Sequence, residues 1–204
     1  MQRGCNMLDA PCWGRRGTAI EIQVLGTVQA VDGDRLVDLG GPRQRRLLAA
    51  LVLGDGRPVS TDALVEAVFG ADASPRAADT LRSYVTRLRR ALSGSPGPAS
   101  PQPSSGDVVV RDGAGYRLRL DGLAVDAERF AAAMGAARRH LQHGDPEAAV
   151  GSAQGALSQW GGASYGDRPD EAGVTAEAQR LDEARALIHK SEPTRPKRAT
   201  RIRA

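Results

Sequence analysis

Residues 80–92 read TLRSYVTRLRRAL, with arginine at four of thirteen positions. At 100° per residue, Leu81, Val85, Leu88, Ala91 and Leu92 fall within an arc of roughly 120°, the apolar stripe of a helix that rests on a core. Arg82, Ser83, Thr86, Arg87 and Arg90 cover the opposite arc, and Arg89 stands at its margin. A solvated helix face usually mixes signs, so that acids and bases meet one turn apart. Here no acid follows Asp79, and Arg76 just ahead adds a fifth cation. Like charges crowded on one short cylinder repel unless an anion lies against them. Three occupants of that face compete: water alone, an acidic protein, and DNA. Arginine favours the third, because its planar fork pairs bidentately with phosphate or with the O6/N7 edge of guanine.

The flanking segments supply a setting for such a helix. Upstream, GPRQRRLLAALVLGDG places Leu47, Leu48, Leu51 and Val52 on one helical face and stops at Gly54 and Gly56. VSTDALVEAVFG predicts a second helix capped by Ser60 or Thr61, with Leu64, Val65, Val68 and Phe69 inward and Gly70 at its end. The arginine helix is the third, with Ser74 as its cap and Pro75 behind it. Ahead of all three, IEIQVLGTVQAV alternates from Ile20 as a half-buried strand, and RLVDLG follows the turn signal DGD in a hairpin or meander. Behind the third helix, SPGPASPQPSSGD reads as a surface loop. VVVRDGAGYRLRL then predicts two short strands about the turn DGAG, with Tyr116, Leu118 and Leu120 facing one way and Arg117 and Arg119 the other. N-terminal strands, three helices and a closing β-hairpin make an α+β winged helix-turn-helix over residues 20–120, whose hairpin wing can lay Arg117 or Arg111 against the backbone or minor groove of a duplex.

After residue 120 the texture is wholly helical through 190. Phe130, Met134, Ala137 and Leu141 recur at helical intervals, and Asp145 with Pro146 starts a second helix striped by Ala149, Val150, Ala153, Leu157 and Trp160. HGDP therefore joins two antiparallel helices, the unit of tetratricopeptide-like arrays. A third helix is expected from about Glu171 to Lys190, with Val174, Ala178, Leu181 and Leu187 inward. Residues 1–19 read as a flexible leader and residues 191–204, with Pro193 and Pro196 among cations, as a basic disordered tail.

Composition removes other classes. The formal charge of +4 and pI of 9.6 are mildly basic, and the excess sits in the arginine helix and the tail. Cys5 and Cys12 lie in the irregular leader with neither zinc-ligand spacing nor a disulfide framework around them. No apolar run approaches the roughly 18 residues of a membrane span, and the leader lacks the apolar middle of a signal peptide, so a soluble intracellular protein is expected. His140 and His143 form an i,i+3 pair without a third ligand at supporting spacing. Neither GDGRPVS nor DGAGYR has the context of a phosphate loop, and no nucleophile–base arrangement stands out. The sequence predicts no enzyme, no metal and no cofactor.

Through LLAALVL, VSTDALVEAVFG, TLRSYVTRLRRAL and GAGYRL, residues 20–120 resemble the OmpR-type winged-helix domain. Continuing through VDAERF, AARRHL, GDPEAAV and ALSQWGG, the chain resembles the Streptomyces antibiotic regulatory protein family over about residues 20–190. In that family a bacterial transcriptional activation domain of tetratricopeptide-like helices follows the winged helix, here residues 121–190. The resemblance implies a cytoplasmic, nucleoid-associated homodimer that binds direct repeats in promoters of antibiotic clusters and recruits RNA polymerase. Carried over by position, Arg82, Arg87 and Arg89 are the major-groove contacts, Thr80, Tyr84 and Arg90 the phosphate anchors, and Arg117 the wing contact. Two departures stand out. Phe69 occupies a slot where the family usually has tryptophan, and the chain turns into SEPTRPKRATRIRA where the family continues with further helices. The second departure leaves open a short activator, or a truncated form that occupies promoters without activating. A protein-interaction scaffold built on the helical half is the reading from another class.

Overall fold

The computed structural model describes residues 20–93, 108–166 and 172–191; the expected leader, the Pro/Gly/Ser-rich loop and the basic tail beyond Ser191 lie outside them. The first apolar run is not one strand. It forms β1 (Ile20–Gln23) and β2 (Gln29–Asp32), antiparallel with Ile20 opposite Asp32, and β3 (Arg35–Val37) completes a meander. Ile20 and Ile22 are buried while Glu21 and Gln23 are partly exposed, the period of two expected for a sheet with one covered face. Gly33 turns β2 into β3 at φ +62°, where a side chain would be strained.

α1 (Pro42–Leu53) begins at a proline whose missing N–H costs nothing at the first turn. β4 (Val59–Ser60) leads into α2 (Thr61–Phe69), where Ser60 Oγ accepts from the Ala63 amide as the sequence predicts. A short 3₁₀ turn, Gly70–Asp72, leads on to α3 (Ala77–Leu92). The expected Ser74 cap is not formed: the helix starts at Ala77, and Ser74 contributes only its carbonyl to the Ala77 amide at 2.8 Å. The core between the three helices is aliphatic, with Leu47, Leu48, Leu51, Leu64, Val68, Leu81 and Leu88 all fully buried. Each such side chain contributes about 1.5–3 kcal/mol relative to remaining in water. β5 (Val109–Asp112) and β6 (Gly115–Leu118) form the hairpin, and β4 joins it in the order β4-β6-β5.

The segment after residue 120 is not wholly helical. Ala124–Val125 is a strand, β7, which pairs in parallel with β1 and extends the first sheet to the order β3-β2-β1-β7. α4 (Asp126–Gln142) and α5 (Pro146–Leu157) follow as an antiparallel pair, with Asp145 capping α5 through the Ala148 amide. α6 (Ala172–Ser191) packs against α1. Two residues placed inward by periodicity point outward: Leu141 is 61 % exposed and Val150 is 47 % exposed. Ala156, unmarked in the sequence, is buried. Ala178 and Leu181 of α6 are buried as expected, while the side chains of Val174 and Leu187 lie outside the described set.

Hydrogen bonds tie the helical segment to the first sheet. The Asp126 carboxylate, 3 % exposed, accepts from the Val24 amide at 2.9 Å and the Leu25 amide at 3.0 Å. Burial pushes its pKa up, opposed by the amides of Leu25, Val24 and Ala127. After α5 the chain returns to the same corner: Gly161, Tyr165 and Gly166 donate their amides to Leu25, Val24 and Gly26. A Cβ on Gly26 would come within 3.3 Å of Gly161, so this approach depends on glycine. Arg129 closes the rim with a bidentate pair to Glu21 at 2.9 and 2.5 Å, and its Nε reaches Gln159. Phe130 meets Trp160 edge-on at 5.5 Å behind it.

Two outcomes follow from this corner. Asp126→Ala leaves the Val24 and Leu25 amides without their acceptor and should cost about 2–4 kcal/mol in urea denaturation; Asp126→Asn, which keeps one carbonyl oxygen, should cost less. Glu21 is held below its ordinary value of 4.5 by the Arg129 hydrogen bond. Its contribution is therefore complete above pH 4.5 and lost as pH falls through the lower folded value. Because the pair is partly exposed, that contribution is about 0.5 kcal/mol. Between about pH 5 and pH 3 the urea midpoint of the parent protein should fall further than that of Glu21→Gln.

Candidate nucleic-acid interface

α3 is held by its apolar stripe, with Leu81, Val85, Leu88 and Leu92 each at 2 % exposure or less. The opposite face is polar and open. Thr80, Ser83 and Thr86 return their hydroxyls to the carbonyls of Arg76, Asp79 and Arg82 one turn back. Small hydroxyls bonded to their own helix leave a low surface from which longer side chains project. Arg82 does not project freely: its Nη1 donates to the Asp79 carboxylate at 2.6 Å, an i,i+3 pair hidden when only the acids that follow Asp79 are counted. Arg87 and Arg90 are exposed and meet no carboxylate among the described residues.

The remaining predicted residues are committed to packing or to partners in the fold. The Tyr84 ring, half-buried, stacks on Phe69 at 6.0 Å between centroids, and Arg43 lies 5.2 Å from the Phe69 ring. Phe69, which fills the tryptophan slot, is thus the middle of a stack that joins α1, α2 and α3. Arg89 turns sideways, its Nε donating to the Val109 carbonyl at 2.6 Å. Arg117, on the outward face of β6, lies against Asp112 with Nε 3.1 Å from the carboxylate. That contact is a charge pair without hydrogen-bond alignment, since Arg117 Nε has no directed acceptor. Arg111 is exposed on the neighbouring strand, opposite Tyr116.

The sequence reading missed Asp112 as the counter-ion of Arg117 and Arg43 as the cap of the aromatic stack. The first had a signal: in RDGAGYR the two residues stand near each other across the tight turn. The second had none, because Arg43 lies 26 residues before Phe69. The two pairs just described are exposed, Arg82–Asp79 at 64 % and 71 % and Arg117–Asp112 at 38 % and 48 %. Pairs of that kind contribute about 0–1 kcal/mol, so a phosphate can displace either carboxylate at little cost.

The wing is clamped at its turn. Thr61 gives both its amide and its hydroxyl to the Ala114 carbonyl, at 3.2 and 2.6 Å, fixing the hairpin turn against the start of α2. A Cβ built on Gly115 would lie 2.0 Å from the Val59 carbonyl oxygen, which is why the turn ends in glycine. No group of three or more metal-ligating side chains occurs among the described residues, and His143 hydrogen-bonds the Arg139 carbonyl. No helix is long and apolar enough to cross a membrane among the described residues.

Three helices closed by a two-stranded wing, with an arginine-bearing third helix turned outward, define a winged-helix regulatory domain followed by a helical domain. Comparison with known proteins agrees. Residues 35–118 match the family model "Transcriptional regulatory protein, C terminal" and residues 125–194 match "Bacterial transcriptional activator domain". The chain is 31 % identical over 172 residues to the transcriptional regulatory protein MoaR1 of Mycobacterium tuberculosis, covering 84 % of this chain and 53 % of that one. It is 35 % identical over 108 residues to the regulatory protein AfsR of Streptomyces griseus, covering 53 % of this chain and 10 % of that one. The structure of Mycobacterium tuberculosis EmbR in complex with a low-affinity phosphopeptide superposes with a TM-score of 0.71 at 30 % identity, over 84 % of this chain and 44 % of that chain. The chain spans about half or less of the length of these relatives. The two domains in this order, with AfsR among the relatives, indicate a regulator of the Streptomyces antibiotic regulatory protein family.

Gly115→Ala should destabilise the wing by about 1–3 kcal/mol, because the clash is with backbone and cannot relax by a rotamer change. The check is a lowered melting temperature together with faster amide exchange in β5 and β6.

Proposed function

We propose that this chain is a sequence-specific DNA-binding transcriptional regulator, an activator of a secondary-metabolite gene cluster. The observation that carries the reading is the outward face of α3, where Arg87 and Arg90 stand exposed with no carboxylate against them among the described residues, on a helix fixed from behind by buried leucines. A rigid cylinder with that charge fits the major groove. Residues 20–120 are taken as the DNA-binding unit and 121–190 as the activating one. Arg87 reads bases; Arg90, Thr80 and the Tyr84 hydroxyl meet phosphates; Arg82 and Arg117 exchange their carboxylate partners for the duplex when it arrives. The antiparallel pair α4 and α5 is read as a tetratricopeptide-like unit whose partner is RNA polymerase. Two copies bind side by side on direct repeats, with half-sites about one helical turn apart. The protein works in the cytoplasm on the nucleoid, with no cofactor and no catalytic step.

Footprinting around the protein's own gene tests this reading, since cluster regulators act on nearby promoters. Arg87→Ala should lose about 1–3 kcal/mol at the base it reads while binding random duplex as before. Arg90→Ala should weaken all sequences alike and reduce the salt slope by about one unit. Equal losses from both variants on selected and random DNA would remove the assignment of Arg87 as the base reader. In a promoter reporter, occupancy without transcription would remove the activator role and leave DNA binding standing.

A further inference from the structure

We infer that Arg89 is a positioning residue that sets the angle between α3 and the wing, rather than a groove contact in its own right. The inference rests on the DNA-binding reading above. Val109 is the first residue of β5 and is fully buried, and β5 is an edge strand in the order β4-β6-β5. In the antiparallel hairpin Val109 stands opposite Leu118, and the Arg119 amide donates to the Val108 carbonyl at 2.8 Å. Bonded and non-bonded pairs alternate along such a ladder, so the Val109 carbonyl points away from β6, off the open edge of the sheet. Among the described residues no strand reaches it there. The group that does is Arg89 Nε at 2.6 Å, from the last turn of α3.

That bond joins the two elements that must meet the duplex at the same time. Along the chain they are separated by residues 93–108, whereas in space one side chain spans the gap. Arginine suits the task because its planar group aims Nε in a fixed direction, and a charged donor on a partly buried carbonyl makes a strong bond. Arg87 and Arg90, its neighbours in sequence, are exposed, whereas Arg89 is half-buried and engaged. With the tether in place, the distance from Arg87 to Arg111 and Arg117 on the wing is set before DNA arrives, and so is the spacing between the major-groove contact and the wing contact. Loss of the tether loosens the wing strand from α3 while α3 itself keeps its seat on the core.

The test compares the parent protein with Arg89→Leu and Arg89→Lys on a duplex that the parent selects from random sequence. Methylation protection of guanine N7 reports α3 in the major groove, and hydroxyl-radical protection of the flanking minor groove reports the wing. Arg89→Leu should retain N7 protection and lose most of the flanking protection, and Arg89→Lys should fall between. Without DNA, amide exchange in β5 should rise about tenfold in Arg89→Leu while that of Val85 and Leu88 stays unchanged. Loss of N7 protection with the flank intact and exchange unaltered would overturn the proposal and make Arg89 a base reader. If Arg89→Leu fails to fold, Arg89→Lys carries both measurements: unchanged exchange in β5 together with loss of N7 protection overturns the tether. If the parent protein selects no duplex, the DNA-binding reading fails on its own, while the exchange arm still decides whether Arg89 holds the wing.

Discussion

The carboxylate of Asp126 stands at the centre of the joint between the two halves of this chain. It stands at the start of α4, is almost fully buried, and accepts from the consecutive amides of Val24 and Leu25 more than a hundred residues earlier. Those amides sit where the first strand breaks, at a corner whose N–H groups have left the ladder with β2. An unpaired amide buried there would cost as much as a lost hydrogen bond, so the corner is stable only because a distant acceptor reaches it. β7 is drawn into the sheet beside it, and Gly161, Tyr165 and Gly166 close the other side with carbonyls of the same corner. The helical segment is therefore an extension of the first sheet and does not hang from a linker.

On the DNA-facing side, stiffness comes from burial and from glycine. α3 cannot rotate without exposing leucines that are fully buried, and its outward arginines inherit that rigidity. The wing is fixed at its turn by Thr61 and by Gly115, whose missing Cβ lets β4 lie directly against β6. Charges then divide by environment. Arg82 and Arg117 rest on exposed carboxylates that water screens, Arg89 is engaged by a backbone carbonyl in a partly buried site, and Arg87 and Arg90 stand in solvent. The same side chain type thus holds a structural bond at one position and remains available to a ligand two residues before it.

The sequence by itself determined what is local. Helical periodicity identified α1 to α6, Ser60 and Asp145 announced the caps of α2 and α5, and the turn DGAG placed the wing, because each depends on residues within a few positions of one another. The stripe of α3 and the outward arc of its arginines were legible for the same reason. Tertiary structure alone decided the rest. The break after Gln23 and the strand at Ala124 depend on each other across the length of the chain, and no local pattern encodes that pairing. Leu141 and Val150 keep helical spacing but lie near the end of a two-helix hairpin, where no third element covers them among the described residues. Which arginine faces a carbonyl and which faces water is likewise set by what folds beside it, since a guanidinium carries the same charge in either place and only its neighbours determine its use.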